Sequence, residues 1–204
     1  MESDSEWLSP PSTTPLSGDE AFTGADVTVR DFWRFALGDL RMNNARGYLA
    51  EFVVSTALGL QNARRVEWDA YDILWNEITI EVKSSAYLQS WEQRRLSSIR
   101  FTGLKGTRFH ARHDYDPAGK RFNAMVYVFC VQTATSHSEY RQLDLSQWDF
   151  YVLPRRVVKE RGFASVGIKT IIELSGGPTK SGDLPLAVTA AARDETRDDD
   201  NWWL

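Results

Sequence analysis

Asp72, Glu81 and Lys83 are the residue types of a site that holds a divalent cation against a phosphate. Residues 71–75 and 78–84 alternate apolar and polar side chains on either side of Asn76 and Glu77, which predicts the two strands of a hairpin. A loop symmetric about those two residues sets Trp75 opposite Ile78, Leu74 opposite Thr79, Ile73 opposite Ile80 and Asp72 opposite Glu81. Tyr71, Ile73, Trp75, Ile78, Ile80 and Val82 then make a uniformly apolar face for the core, while Asp72, Leu74, Thr79, Glu81 and Lys83 share the other. Carboxylates facing each other across a ladder stand roughly 5 Å apart and repel, a penalty that a cation between them removes. Mg²⁺ takes oxygen ligands at about 2.1 Å and is commonly held by one or two carboxylates with phosphate and water. Lys83 follows Glu81 by two residues, about 6.6 Å along the same face. Its ammonium there would orient a water or stabilise charge on the phosphate. The plainer alternative is a lysine that neutralises Glu81 on a solvated strand. The opposed acid, and an apolar helix upstream that carries Glu51, weigh the pattern toward a site.

The elements that must position these groups can be read in outline. Residues 1–27 are rich in Ser, Thr, Pro and acids and read as a disordered tail. A short helix is expected over 28–40. A second starts at a cap on Asn43 or Asn44 and ends at Gly59, with Tyr48, Leu49, Phe52, Val53 and Thr56 at helical spacing. Residues 65–68 are a further strand candidate, and residues 85–122 are polar, basic and without clear pattern. Residues 124–131 form a continuous apolar run, as in a strand covered on both faces. Residues 150–153 read as another strand, with helical segments beginning near Val157 and ending near Leu174. The fold class is therefore α/β, a mixed sheet flanked by helices, with the domain body at 28–175 and an acidic C-terminal tail at 176–204.

With those residues in place the chain resembles the PD-(D/E)XK nuclease superfamily, the restriction-endonuclease-like fold, and within it small bacterial restriction-type endonucleases. The resemblance rests on Glu51 in Gly47-Tyr48-Leu49-Ala50-Glu51, on Asp72 in Ala70-Tyr71-Asp72-Ile73, and on Glu81-Val82-Lys83-Ser84. It is good over roughly residues 43–91 and looser beyond. No proline precedes Asp72, and Asp69 is a competing acid. The resemblance implies hydrolysis of DNA phosphodiesters, with Asp72, Glu81 and the Val82 carbonyl holding Mg²⁺ or Mn²⁺. Lys83 would then position water, and Glu51 would orient an outer water or reach a second metal. The alternative for Glu51 is a buried pair with an arginine such as Arg46, and the alternative for the whole is a catalytically silent nucleic-acid-binding or partner-binding module.

Net charge is −4, yet it is unevenly spread. Residues 1–29 carry six acids and no Lys or Arg, and residues 176–204 carry six acids against three bases, so the segment between them is basic. Arg94, Arg95, Arg100, Lys105, Arg108, His110, Arg112 and His113 are the candidates for gripping a nucleic-acid backbone. Gln89 and Gln93 suit a helix surface better than reading bases or bracing the site, and Arg155, Arg156 and Lys159 could touch phosphates, although a solvated first turn of helix explains them as well. The single cysteine, Cys130, reads as core, which excludes a disulfide framework and a zinc cluster. No apolar run approaches a bilayer span, so a cytoplasmic location is expected. Cutting two strands with one site per chain would call for a homodimer. The Asp-rich end with Trp202 and Trp203 admits a docking peptide for a protein partner or a mimic of DNA charge, with disorder as the default.

Overall fold

The computed structural model describes residues 14–61, 70–110, 114–115, 117, 119–162 and 164–199. The strand candidate at 65–68 and the competing acid Asp69 lie outside them. The chain divides into two compact units, residues 1–38 and 39–204, so the first helix belongs with the N-terminal segment rather than with the body. In the first unit, helix α1 (Val29–Leu37) starts from a reciprocal cap. The Asp31 amide donates to the Thr28 hydroxyl, and the Thr28 amide donates to the Asp31 carboxylate at 2.8 Å.

The second unit is a mixed α/β body. Its elements are α2 (Asn43–Ala57), β1 (Ile73–Trp75), β2 (Ile78–Ala86), β3 (Arg100–Thr102), β4 (Phe109–His110), β5 (Asp114–Tyr115), β6 (Val126–Gln132), β7 (Trp148–Pro154), α3 (Arg155–Glu160), β8 (Ser165–Gly167), α4 (Ile168–Ser175) and α5 (Leu184–Asp199). The central sheet runs β1-β2-β6-β7, with β2 parallel to β6 and the other two pairs antiparallel. Small two-stranded pairs, β3 with β8 and β4 with β5, complete it. Among the described residues no helix is long and apolar enough to cross a membrane.

Three of the four predicted hairpin pairs are observed, Trp75 with Ile78, Leu74 with Thr79 and Ile73 with Ile80, while Asp72 and Glu81 are not a ladder pair. The connecting residues Asn76 (φ 47°) and Glu77 (φ 67°) both sit in the left-handed region. That is the two-residue turn whose twist matches the flanking strands. The sheet is covered twice. On one face Ile73, Ile80, Val82, Val128, Cys130 and Phe150 pack against Val53 and Val54 of α2 and Leu184 and Val188 of α5. On the other, Tyr127, Phe129, Tyr151 and Leu153 pack with Phe101, Val158, Val166 and Ile171. Strand β6 is buried along its whole length, as its unbroken apolar run predicts.

Four expectations are corrected. Helix α2 is capped at Met42, not at an asparagine, and Asn43 instead accepts from the Arg46 guanidinium. Its inward face is Ala45, Ala50, Val53 and Val54, small enough to approach the sheet closely, which leaves Tyr48 and Phe52 exposed. Tyr71 packs with the Tyr127 cluster rather than beside Ile73, because alternation breaks at Asp72. Residues 176–204 are not simply a tail, since α5 buries Leu184, Val188, Ala191 and Ala192 at helical spacing. The acids that make this segment look solvated are partly paired: Glu195 accepts from Arg155 Nε and from the Arg156 amide, each at 2.6 Å.

Candidate functional site

Strand β2 continues for six residues past its last pair with β1. Asp72 stands where the next rung would be. Its amide donates to the Ile80 carbonyl at 3.0 Å, and its carboxylate Oδ2 accepts from the Val82 amide at 2.7 Å. A side chain thus replaces a strand partner, and the Asp72 carboxylate lies at the end of β1 instead of stacking over Glu81 as an ideal ladder would place it. Amide and carbonyl of one strand residue point to the same edge. The Val82 carbonyl therefore faces the side where Asp72 sits, and no described amide is bonded to it there.

Glu81 and Lys83 share the face of β2 that looks toward Tyr127 and Phe129, their partners on β6. Lys83 Nζ pairs with Glu81 Oε1, and their side chains are 24% and 18% exposed. Glu81 is pushed up to about 7, first by burial, which disfavours its charged form. Lys83 works against that shift, while the charges of Asp72 and Glu51 add to it. The other three residues expected to share the site, Asp72, Lys83 and Glu51, are thus electrostatically within reach of Glu81. Glu51 is half-buried on α2. Among the described residues Arg46 bonds the Arg41 carbonyl at 2.9 Å, Asn43, and Gln89 Oε1 at 3.3 Å, which does not make it the partner proposed for Glu51.

The donor set can be tested for a cation. Asp72 Oδ1 and Glu81 Oε2 carry no bond among the described residues, and the Val82 carbonyl faces the same edge as Asp72. Among the described residues no group of three or more His, Cys, Asp or Glu side chains is close enough to hold an ion by itself. Two carboxylates and a carbonyl, completed by water and phosphate oxygens, are nonetheless a sufficient set for Mg²⁺, which needs no all-protein cage.

The expected basic grip is mostly elsewhere. Arg94 and Arg95 are exposed in the loop after β2. Gln89 and Gln93 brace that loop rather than line a helix: the Gln89 amide donates to Gln93 at 2.7 Å, and Gln93 Nε2 donates to Ser97 at 2.9 Å. Arg100 donates to Ser165 Oγ at 2.7 Å and Arg108 to Asn123 Oδ1 at 3.2 Å. His110 is in β4, with its side chain outside the described atoms, and Arg112 and His113 lie outside the described residues. Among the described candidates only Lys105 joins a basic cleft, of about 490 Å³, whose other described lining residues are Lys120, Arg121, Phe122, Arg155 and Lys159. Spread over three chain segments, these cations form no cluster in the sequence.

Tyr127, which the sequence reading passes over as core, links the two places. It partners Glu81 across the sheet, donates from its hydroxyl to the Leu104 carbonyl at 3.1 Å, and meets Phe122 edge-on at 6.1 Å. Burial raises its phenol well above the usual range, the Glu81 charge adds to that shift, and Arg155 opposes it. No family model, no curated protein and no solved structure matches the chain.

Proposed function

We propose that this chain is a metal-dependent nuclease that hydrolyses phosphodiester bonds, with DNA as the substrate expected from its resemblance to the PD-(D/E)XK superfamily. The observation that carries this reading is the junction at Val82, whose amide holds the Asp72 carboxylate while its carbonyl faces the same edge, with the buried carboxyl of Glu81 on the adjoining strand residue. Burial holds the Glu81 carboxyl up to about 7 even with Lys83 beside it, so its charged form gains from a further cation. Asp72, Glu81 and the Val82 carbonyl would hold Mg²⁺ or Mn²⁺. A divalent cation there supplies a Lewis acid for a phosphoryl oxygen and acidifies a water.

The remaining work falls to the chain itself. Asp72, tied to the Val82 amide, is fixed in orientation before any ligand arrives. Lys83 can turn its ammonium from Glu81 to the phosphate oxygens once Glu81 is engaged, which places positive charge where negative charge grows. Glu51 orients water at the rim. In the reaction water adds to phosphorus, one P–O ester bond breaks, and the leaving oxygen takes up a proton.

The test is incubation of the purified chain with plasmid, linear and single-stranded DNA, with Mg²⁺, Mn²⁺ or EDTA. Cleavage that is lost in EDTA and falls by at least a hundredfold in Glu81→Ala and Lys83→Ala supports the reading. Cleavage that survives both substitutions refutes it. A second reading, a catalytically silent nucleic-acid-binding module, is favoured by the ion pair that already satisfies Lys83 and by a basic cleft that needs no carboxylate. Salt-sensitive binding without cleavage would select it.

A further inference from the structure

The cleft beside Tyr127 gathers five cations, Lys105, Lys120, Arg121, Arg155 and Lys159, around one aromatic ring, Phe122. No acid lines it. Glu195 binds Arg155, and its other oxygen is taken by the Arg156 amide. Lys120 and Lys159 are exposed and have no carboxylate partner among the described residues. Like charges gathered so closely repel one another, and an anion between them turns that repulsion into attraction.

The anion can be narrowed further. One phosphate group carries at most two charges, fewer than the three lysines, Lys105, Lys120 and Lys159, that have no carboxylate partner among the described residues. The cleft's volume is within the roughly 300–1,000 Å³ of ordinary ligand sites, which leaves room for more than one phosphate. Lys105 Nζ sits 4.9 Å above the Phe122 ring, so that face is occupied by an ammonium and is closed to a base. The lining therefore offers charge and no base-reading edge, which is how proteins hold a backbone irrespective of sequence. Phe122 meets Tyr127, and Tyr127 is the strand partner of Glu81, so the cleft is one aromatic ring away from the acid cluster.

From this we infer that the cleft is a phosphate-chain site, which takes consecutive phosphates of the nucleic-acid strand that reaches Glu81. It deepens the nuclease reading and rests on it for the identity of the polymer, but binding can be measured without cleavage. Full-length protein in EDTA is titrated into labelled single-stranded and duplex oligonucleotides over a salt series, with sodium tripolyphosphate as competitor. Removing two phosphate contacts with Lys120→Ala/Lys159→Ala should make the slope of log affinity against log salt shallower by about 1.8 on duplex and about 1.4 on single strands. The exposed control Arg141→Ala/Lys169→Ala should leave the slope unchanged, and tripolyphosphate should displace the oligonucleotide. An unchanged slope in the cleft variant overturns the inference. So does wild-type protein that binds tripolyphosphate but no oligonucleotide, which would make this a small-anion site, or one that binds neither. Slope-sensitive binding with no cleavage on adding Mg²⁺ supports the cleft and defeats the nuclease reading.

Discussion

Glu81→Gln separates a site built for a cation from a plain lysine–glutamate pair by the sign of its effect on stability. The carboxyl ionises near 4.5 in the unfolded chain and is held up to about 7 in the fold. Between those values the folded state binds the extra proton, so stability is fully present below about pH 4.5 and falls as pH rises through 7. The displacement is about 2.5 pH units, and at 1.36 kcal/mol per unit the ionised carboxylate costs roughly 3 kcal/mol at pH 8. Glutamine keeps the shape and removes the charge. It should be about equal to wild type at pH 5 and more stable at pH 8 by up to about 3 kcal/mol. That is a gain in Tm of roughly 6–12 °C for a chain of this size.

A divalent cation should recover the same energy in the wild type alone. At a concentration about a hundred times its Kd, Mg²⁺ would add roughly 2.7 kcal/mol at pH 8. It would add much less at pH 5, where the proton occupies Glu81, and nothing in Glu81→Gln. Thermal melts of both proteins at pH 5 and 8, with Mg²⁺ or EDTA, read all of this. If Glu81→Gln is the less stable protein at pH 8, Lys83 outweighs burial and the acid neighbours, and the argument for a cation-seeking cluster is wrong.

Three further outcomes follow from single contacts. Glu195→Ala strands the Arg155 side chain and the Arg156 amide, so it should lower stability by about 2–4 kcal/mol in a urea melt. Glu77→Gly puts glycine where φ is 67° and should raise the urea midpoint by the equivalent of about 1 kcal/mol. The Cys130 thiol is fully buried and raised by that burial, with Asp72 adding to it, so at pH 8 it should react with a thiol reagent only as fast as the protein unfolds.

The hairpin was legible because Ile73, Trp75, Ile78 and Ile80 alternate strictly, and only one register turns all four inward. The same rule failed at Asp72, where a side chain replaces a backbone rung; hydrophobic periodicity records no such substitution. Tyr71 was misplaced for the same reason. Helix α5 was hidden by composition, since Asp194 and Glu195 read as solvated acids until Arg155 and Arg156 are seen opposite them. The basic cleft was beyond reach because its cations come from positions 105, 120–121 and 155–159, which only folding brings together. Locally dense runs such as Arg94-Arg95 lie outside it.

A sheet covered on both faces leaves little room for charge, and the length of β1 explains where that room is. Strand β1 has three residues and β2 has nine, so beyond Ile80 the outer edge of β2 has no described strand beside it. Had β1 run alongside all of β2, the Val82 amide and carbonyl would both be spent in a ladder, and a strand would stand where the Asp72 carboxylate now reaches that amide. The early end of β1 leaves that carbonyl without a strand partner among the described residues, on a rigid central element, and lets Asp72 hold the edge from the adjoining turn. Tyr127 and Phe129 flank the Glu81 face on its β6 side, and the Glu81 side chain is 18% exposed, so Glu81 is desolvated enough to be shifted while keeping part of its surface open to a ligand. A short edge strand, usually understood as protection against unwanted pairing, is here also what makes a polar site possible at the centre of an apolar fold.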